Sequence, residues 1–298
     1  MRRLIASAIA AAVLLVPSLR ANADELTAAT TVDTFSSTGD VYGPWQTELL
    51  EYQWQAGRKD IPSVTLLNRN DHDRNIFGQA IPSRSTAVYV DDYHNWTSSF
   101  FTYVQLMTSD GTILPNRLFY AEADAKLGAQ KNVVFGVGAS AYANPDHSST
   151  RSLSIGPTYY AKSMVYTIRY LPSAVGGDFS GLRNGFPVIG TTKAYGSGME
   201  FIAEYNRLGT NQVIVAYLGG NQPGILVGGL GAVPTQFTNI QRIGEFDLSI
   251  KHWVSRDFGF ILGGSVGSHA MQTSGAKIYD VQSVTAGLFF GRAVGLPR

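Results

Sequence analysis

The stretch Ser152-Leu153-Ser154-Ile155-Gly156-Pro157-Thr158-Tyr159-Tyr160-Ala161 decides the fold. Leu153, Ile155, Pro157, Tyr159 and Ala161 fall on one side of an extended chain. Ser152, Ser154, Gly156, Thr158 and Tyr160 fall on the other. A side-chain period of two is the signature of a β-strand with one apolar and one polar face. The same alternation recurs in both directions along the chain. Phe119, Ala121, Ala123, Ala125 and Leu127 oppose Glu122, Asp124 and Lys126. Met199, Phe201, Ala203 and Tyr205 oppose Glu200, Glu204 and Asn206. Phe246, Leu248, Ile250 and Val254, interrupted by His252, oppose Glu245, Asp247, Ser249 and Lys251.

Segments of this kind predict about fourteen strands, with twelve to sixteen possible, near 26–36, 44–57, 60–74, 81–93, 96–109, 115–128, 130–144, 148–161, 163–176, 196–208, 210–221, 238–255, 257–270 and 279–293. Short links such as Arg58-Lys59 and His94-Asn95 alternate with longer stretches, including Ser37 to Gly43, Asp110 to Leu114, Gly177 to Tyr195 and Gln222 to Phe237. A sandwich or propeller has no reason to sort its turns in this way. A bacterial outer-membrane barrel does, with short periplasmic turns and long extracellular loops. The expected fold is therefore all-β: a single closed antiparallel transmembrane barrel over 24–298, in the outer membrane with both termini in the periplasm. Fourteen strands enclose more than side chains alone can fill, since eight already fill theirs. The two longest loops, Gly177 to Tyr195 with Arg183 and Lys193, and Gln222 to Phe237, are the ones expected to be able to fold into that lumen.

Composition agrees with this reading. Among 298 residues there are 32 glycines, 11% aromatics, 15% charged residues and no cysteine. The absence of cysteine excludes a disulfide scaffold, thiolate-ligated zinc and a cysteine nucleophile. A net charge of +1, with no basic run interleaved with aromatics, gives no support for nucleic acid as a partner. Residues 1–23 read as a cleaved signal peptide: Arg2 and Arg3, the apolar run Leu4 to Val16, then Ala21-Asn22-Ala23. About thirteen apolar residues are too few to span a bilayer. Loss of Arg2, Arg3 and Arg20 takes the basic count from 23 to 20 against 22 acidic residues.

Charge placement supplies the site expectations. A Lys or Arg facing lipid at midplane costs roughly 2–4 kcal/mol, so charged strand residues should face inward. Arg117, Glu122, Asp124, Lys126, Arg169, Glu200, Glu204, Asp247 and Lys251 are accordingly expected to line the lumen. Trp54, Trp96 and Trp253 fall at periplasmic strand ends and Trp45 at an extracellular one, where interfacial girdles form.

The segment Phe35-Ser36, then Gly43-Pro44-Trp45 leading into Glu51-Tyr52-Gln53-Trp54, resembles the start of the YaiO family of outer-membrane β-barrels. So does Tyr166-Thr167-Ile168-Arg169-Tyr170-Leu171-Pro172 followed by a long loop, and the resemblance extends over about 25 to 293. It implies an outer-membrane barrel without an established biochemical activity. Some relatives look similar to exopolysaccharide exporters and carry helical-repeat segments, which are not read in this sequence. Such barrels end in an aromatic residue recognised by the barrel-assembly machinery. Here Val284, Ala286, Leu288 and Phe290 run on into Gly295-Leu296-Pro297-Arg298, while Thr285, Gly287 and Phe290 resemble the internal part of that signal.

Three functions compete. The first is a non-enzymatic channel or export pore for a small polar solute or envelope polysaccharide; mixed lumen charges argue against strong ion selectivity. The second is a binding or structural protein acting through its long extracellular loops. The third is an enzyme acting on lipid or glycan, with His72 in Asn70-Asp71-His72-Asp73-Arg74 or His147 before Ser148-Ser149 as candidate bases. The expectation is the channel, with no catalytic residue, no metal, no cofactor, and with outer-membrane lipid, lipopolysaccharide and the assembly machinery as partners. Gly228-Gly229-Leu230-Gly231 and Gly263-Gly264-Ser265-Val266-Gly267 do not sit between strand and helix, so they read as loops and strand bends rather than phosphate cradles.

Overall fold

A computed structural model describes residues 24–36, 44–74, 80–110, 114–144, 147–183, 186–206, 210–223, 240–271, 274–275 and 277–291. Within them run β1 (Glu25–Ser36), β2 (Trp45–Gln53), β3 (Asp60–Arg74), β4 (Ala80–Asn95), β5 (Phe100–Ser109), β6 (Arg117–Leu127) and β7 (Val133–Ala143). They are followed by β8 (Ser149–Tyr160), β9 (Met164–Arg183), β10 (Phe186–Tyr205), β11 (Asn211–Pro223), β12 (Ile240–Ser255), β13 (Phe258–Met271) and β14 (Lys277–Gly291). Every strand pairs with its sequence neighbours, and β14 returns to β1 to close the barrel. All pairings are antiparallel, as expected for strands joined by hairpins.

The closing seam runs from Glu25 opposite Gly291 to Ser36 opposite Asp280. At its lower end Gly291 has φ of 112°, and a Cβ there would lie 1.9 Å from the Asp24 carbonyl oxygen. Only glycine lets the last strand come this close to the first. Higher up, the Thr31 and Thr285 hydroxyls share a 2.8 Å hydrogen bond across the seam. One end of the barrel carries tight connections, for example Ala56 bridging to Asp60 around Gly57 (φ 71°). The other end carries the longer ones. These are called the short-turn and long-loop ends below.

The alternation read from sequence sorts the two faces. Leu106, Phe119, Leu153, Phe201, Leu248 and Val284 are exposed on the outer surface. Thr31, Ser63, Glu122, Ser154, Thr167 and Glu200 are buried on the inner one. The apolar residues are thus on the outside, the reverse of a water-soluble protein and the arrangement that a hydrocarbon solvent requires.

Two expectations about loops change. Gly177 to Tyr195 is no inward-folding loop but the upper part of a long hairpin, with Gly177 paired to Thr192 and Arg183 to Phe186. Val188, Ile189, Thr191 and Thr192 are β-branched and favour that ladder. The frequent glycines around them masked the signal. Gln222 and Pro223 likewise belong to β11, and 224–239 lies outside the described residues, as do 1–23 and the tail 292–298. The connection that does enter the barrel is a short one. Leu114 and Pro115 are fully buried, and Ser109 Oγ donates to the Pro115 carbonyl at 2.7 Å. Leu114 packs with Leu67, Ala87, Met107 and Leu118 beside Tyr89, Tyr120 and Tyr142, filling the interior against β3–β7.

Gly138 faces inward beneath the Tyr120 ring, and a Cβ added there would sit 2.7 Å from the Tyr120 hydroxyl. Gly138→Val should therefore destabilise the folded barrel by about 1–3 kcal/mol through overpacking. Ala125→Val, on the outer face, should be near neutral. Urea unfolding midpoints in lipid vesicles compare the two.

Candidate functional site

The inner wall is where the polar chemistry of this chain collects. Of the residues expected there, Glu122, Asp124 and Glu200 are buried at 9, 7 and 6% exposure. Lys126, Arg169, Glu204, Asp247 and Lys251 share their inward register. Arg117 does not. It occupies the same strand face as Phe119, two residues away, and points outward from the long-loop end of β6. The rule that charges face inward fails at this position because the cost of a lipid-facing Arg falls to about 0–1 kcal/mol near the membrane interface.

Four of the inward cations pair with carboxylates, two of them across the wall. Arg169 on β9 donates from Nη2 to Glu122 Oε1 at 2.7 Å and from Nη1 to Glu122 Oε2 at 2.9 Å, reaching β6 over two intervening strands. The reach is possible because the inward positions between them are small: Gly136, Gly138, Ser154 and Gly156. Arg169 Nη1 also donates to Ser154 Oγ at 3.1 Å, and the Tyr120 hydroxyl donates to Glu122. Lys251 on β12 spans β13 and β14 in the same way to reach Glu25 at 2.6 Å, its ammonium 4.4 Å from the centre of the Phe289 ring. Arg242 pairs with Glu245 and donates to Gln222 Oε1 at 3.3 Å. Arg69 donates to Asp71 at 2.7 Å, both fully buried, with its guanidinium 3.9 Å from the Trp45 ring centre. The Arg169 and Lys251 bridges cross two strands, the first over glycine and serine and the second beside an aromatic ring, whereas Arg69–Asp71 and Arg242–Glu245 lie within one strand each.

The tryptophans divide. Trp45, 4% exposed beneath Arg69, is an interior residue and not part of a lipid-facing girdle. Trp253 also turns inward, its ring 4.4 Å from that of the buried Phe289. Period two decides both: Trp45 is in phase with buried Thr47, and Trp253 with Lys251. Trp96 is exposed at the short-turn end, where Trp54 stacks on Tyr52. Tyr159, Tyr166 and Tyr205 are exposed at the same end. They extend the aromatic rim through a residue type that the sequence reading did not count.

The histidines assemble no nucleophile–base pair at the expected places. His72 and His147 are exposed at the long-loop end. Ser148, beside His147, is buried and accepts a 2.9 Å hydrogen bond from Asn144. Asp60, Asp92 and His94 offer donor atoms within 4.8 Å of one another at the short-turn end, the residue types a divalent metal would need, and His94 Nδ1 there contacts Asp60.

Two cavities open along the inner wall. The first, about 240 Å³, lies toward the short-turn end among Tyr93, Phe101, Tyr103, Glu122, Asp124, Arg169 and Glu204. The second, about 300 Å³, lies among Asp33, Glu200, Glu204, Arg242, Glu245 and Asp247. Ile202 and Glu204 line both, so the cavities meet at β10. Sequence reasoning missed Arg69, Tyr120, Gln222 and Arg242, and placed Glu245 on a polar face without assigning it to the site. For Arg69 the usable signal was its phase with Asp71, and for Arg242 its place just before the alternating run of β12.

An apolar belt outside, charges inside and a closed antiparallel wall define a transmembrane β-barrel. The YaiO membrane β-barrel domain matches residues 23–180, just over half of the chain, and the chain belongs to that family. Among solved structures it is similar to a bacterial polysaccharide outer-membrane secretin, at 9% identity and TM-score 0.50, with 91% of this chain and 98% of that one covered. It is also similar to the translocator domain of the autotransporter NalP from Neisseria meningitidis, at 11% identity and TM-score 0.49, covering 95% and 96%. An anion-selective porin from Comamonas acidovorans aligns at 8% identity and TM-score 0.44, covering 90% and 98%. Identities this low speak to the fold alone. No curated protein sequence matches.

Arg169→Met leaves Glu122 buried without its cation and should cost about 3 kcal/mol. Arg169→Met with Glu122→Gln should recover most of that loss. A double-mutant cycle of unfolding free energies measures the coupling.

Proposed function

We propose that this barrel is a non-enzymatic outer-membrane channel whose acidic inner wall passes small polar solutes and favours cations over anions. The observation that carries the reading is the charge balance of the inner wall among the described residues. Arg69, Arg169, Arg242 and Lys251 are each held by a carboxylate. Asp33, Glu51, Asp91, Asp124, Glu200, Glu204 and Asp247 add further inward carboxylates beyond those four partners, against one further inward cation, Lys126. In a narrow passage with low-dielectric walls, surplus carboxylates concentrate the field and raise the local concentration of cations. The sequence-level argument from mixed signs gives way here, because paired charges largely cancel at short range and the unmatched ones set the selectivity.

The two meeting cavities, one lined by β4–β10 and the other by β10–β14 with β1, support a route past the Leu114 cluster, which fills the interior against β3–β7. The short-turn end then faces the periplasm with both chain termini, residues 1–23 serve as the export signal, and lipopolysaccharide and the barrel-assembly machinery are the partners expected of any such barrel. If envelope glycan is the cargo, the wall suits a neutral or amine-bearing polymer and disfavours an acidic one.

The test is a planar bilayer recording from refolded protein under a potassium chloride gradient. Discrete steps with a reversal potential of the sign for potassium over chloride are expected, and Glu200→Gln with Asp247→Asn should move that potential toward zero. Folded protein that never conducts, or that prefers chloride, would overturn the reading.

A further inference from the structure

The cavity at the short-turn end combines two features. Its lining holds three carboxylates, Glu122, Asp124 and Glu204, against the single guanidinium of Arg169, which is committed to Glu122 through both nitrogens. Glu122 and Asp124 converge over Gly136: a Cβ placed there would lie 2.9 Å from Glu122 Oε1 and 2.5 Å from Asp124 Oδ1. Beside the two carboxylates on the neighbouring strands stand aromatic residues, Phe101 opposite Asp124, Tyr103 opposite Glu122 and then Tyr93, with the Tyr93 and Phe101 ring centres 4.8 Å apart.

An excess of carboxylate beside a bank of aromatic rings is the chemistry that recognises an ammonium group. The carboxylate supplies the charge, and the ring faces replace part of the lost hydration. The chain already places its own ammonium groups in this kind of environment. Lys126 Nζ lies 5.5 Å from the centre of the Phe101 ring, and Lys251 Nζ lies 4.4 Å from that of Phe289. Size is adequate too. An engineered apolar cavity of roughly 150 Å³ admits benzene, and this one measures about 240 Å³.

We infer that this cavity is a binding site for a small organic ammonium solute, a primary or quaternary amine. The solute's positive head lies between Asp124, Glu204 and the Phe101 and Tyr103 rings. The inference deepens the channel reading and rests on it for the solute's route of entry, by naming the class of cation that pauses in the lumen. Glu204 lines both cavities, so a solute leaving this site meets the second acidic cavity without crossing an uncharged gap.

Choline titrated into refolded, detergent-solubilised protein and followed by isothermal calorimetry tests the site without requiring conduction. Saturable binding is expected, weakened about tenfold by Asp124→Asn and several-fold by Phe101→Leu, while Phe101→Tyr keeps the ring and the affinity. A gel-shift assay confirms that each variant is folded. The neutral isostere 3,3-dimethyl-1-butanol separates charge recognition from simple cavity filling and should bind at least tenfold more weakly. Absence of saturable choline binding in the folded wild-type protein would overturn the inference, as would equal binding of the neutral isostere. So would unchanged affinity in both Asp124→Asn and Glu204→Gln. Bilayer recordings from the same preparation keep the two ideas apart. Choline binding without conductance retains the site and removes the channel, whereas conductance without choline binding does the reverse.

Discussion

In hydrocarbon no water is at hand for an unpaired peptide group, and each one left open costs several kcal/mol. A sheet can meet that condition only by having no edge. Here the condition is met at the seam between β1 and β14, where twelve consecutive residue pairs run from Glu25–Gly291 to Ser36–Asp280. The joint requires Gly291 because a side chain at that backbone conformation would strike Asp24. The outward apolar band, the inward polar wall and the sorting of connections between the two ends all presuppose that this ring is shut.

Closure on fourteen strands creates a second physical problem, since the interior is too wide for side chains to meet at its centre. The structure answers by laying long side chains along the wall. Arg169 reaches Glu122 across two strands, and Lys251 reaches Glu25 likewise. Glycines at 136, 138 and 156 clear the surface for the first of these bridges. The same glycines leave the strands without inward bulk, so an ion pair at the wall supplies the contacts that a packed core would supply elsewhere. The bracing pair and the acidic cavity therefore share residues. Glu122 and Arg169 hold β6 to β9 while forming one side of the cavity that Asp124 and Glu204 make acidic.

The interior is also asymmetric. Against β3–β7, the buried Leu114 and its neighbours form a conventional apolar cluster inside the barrel. The second cavity lies against β10–β14 and β1, where the wall stays polar, while the first spans β4–β10.

The sequence by itself determined the closed barrel of about fourteen strands and the two faces of the clearly alternating ones, because a side-chain period of two is a local property that survives without any knowledge of partners. Ser152 to Ala161 displays it completely, and the fourteen segments read from sequence lie close to β1–β14. It also singled out Glu122, Asp124, Arg169, Glu200, Glu204, Asp247 and Lys251 as chemistry-bearing positions. Where a local pattern ran against local bulk or spacing it misled. Glycines concealed the β9–β10 extension, Arg117 was assigned by charge when its phase with Phe119 placed it outside, and Trp45 and Trp253 were assigned by type when their phase placed them within. Only the tertiary structure decided which charges cancel. Arg169 and Glu122 are 47 residues apart and Lys251 and Glu25 are 226 apart, so their pairing follows from how strands β1, β6, β9 and β12 are arranged around the ring. The surplus of carboxylate that remains once those pairs are made is a property of the closed barrel, because no single strand contains both members of either cross-wall pair.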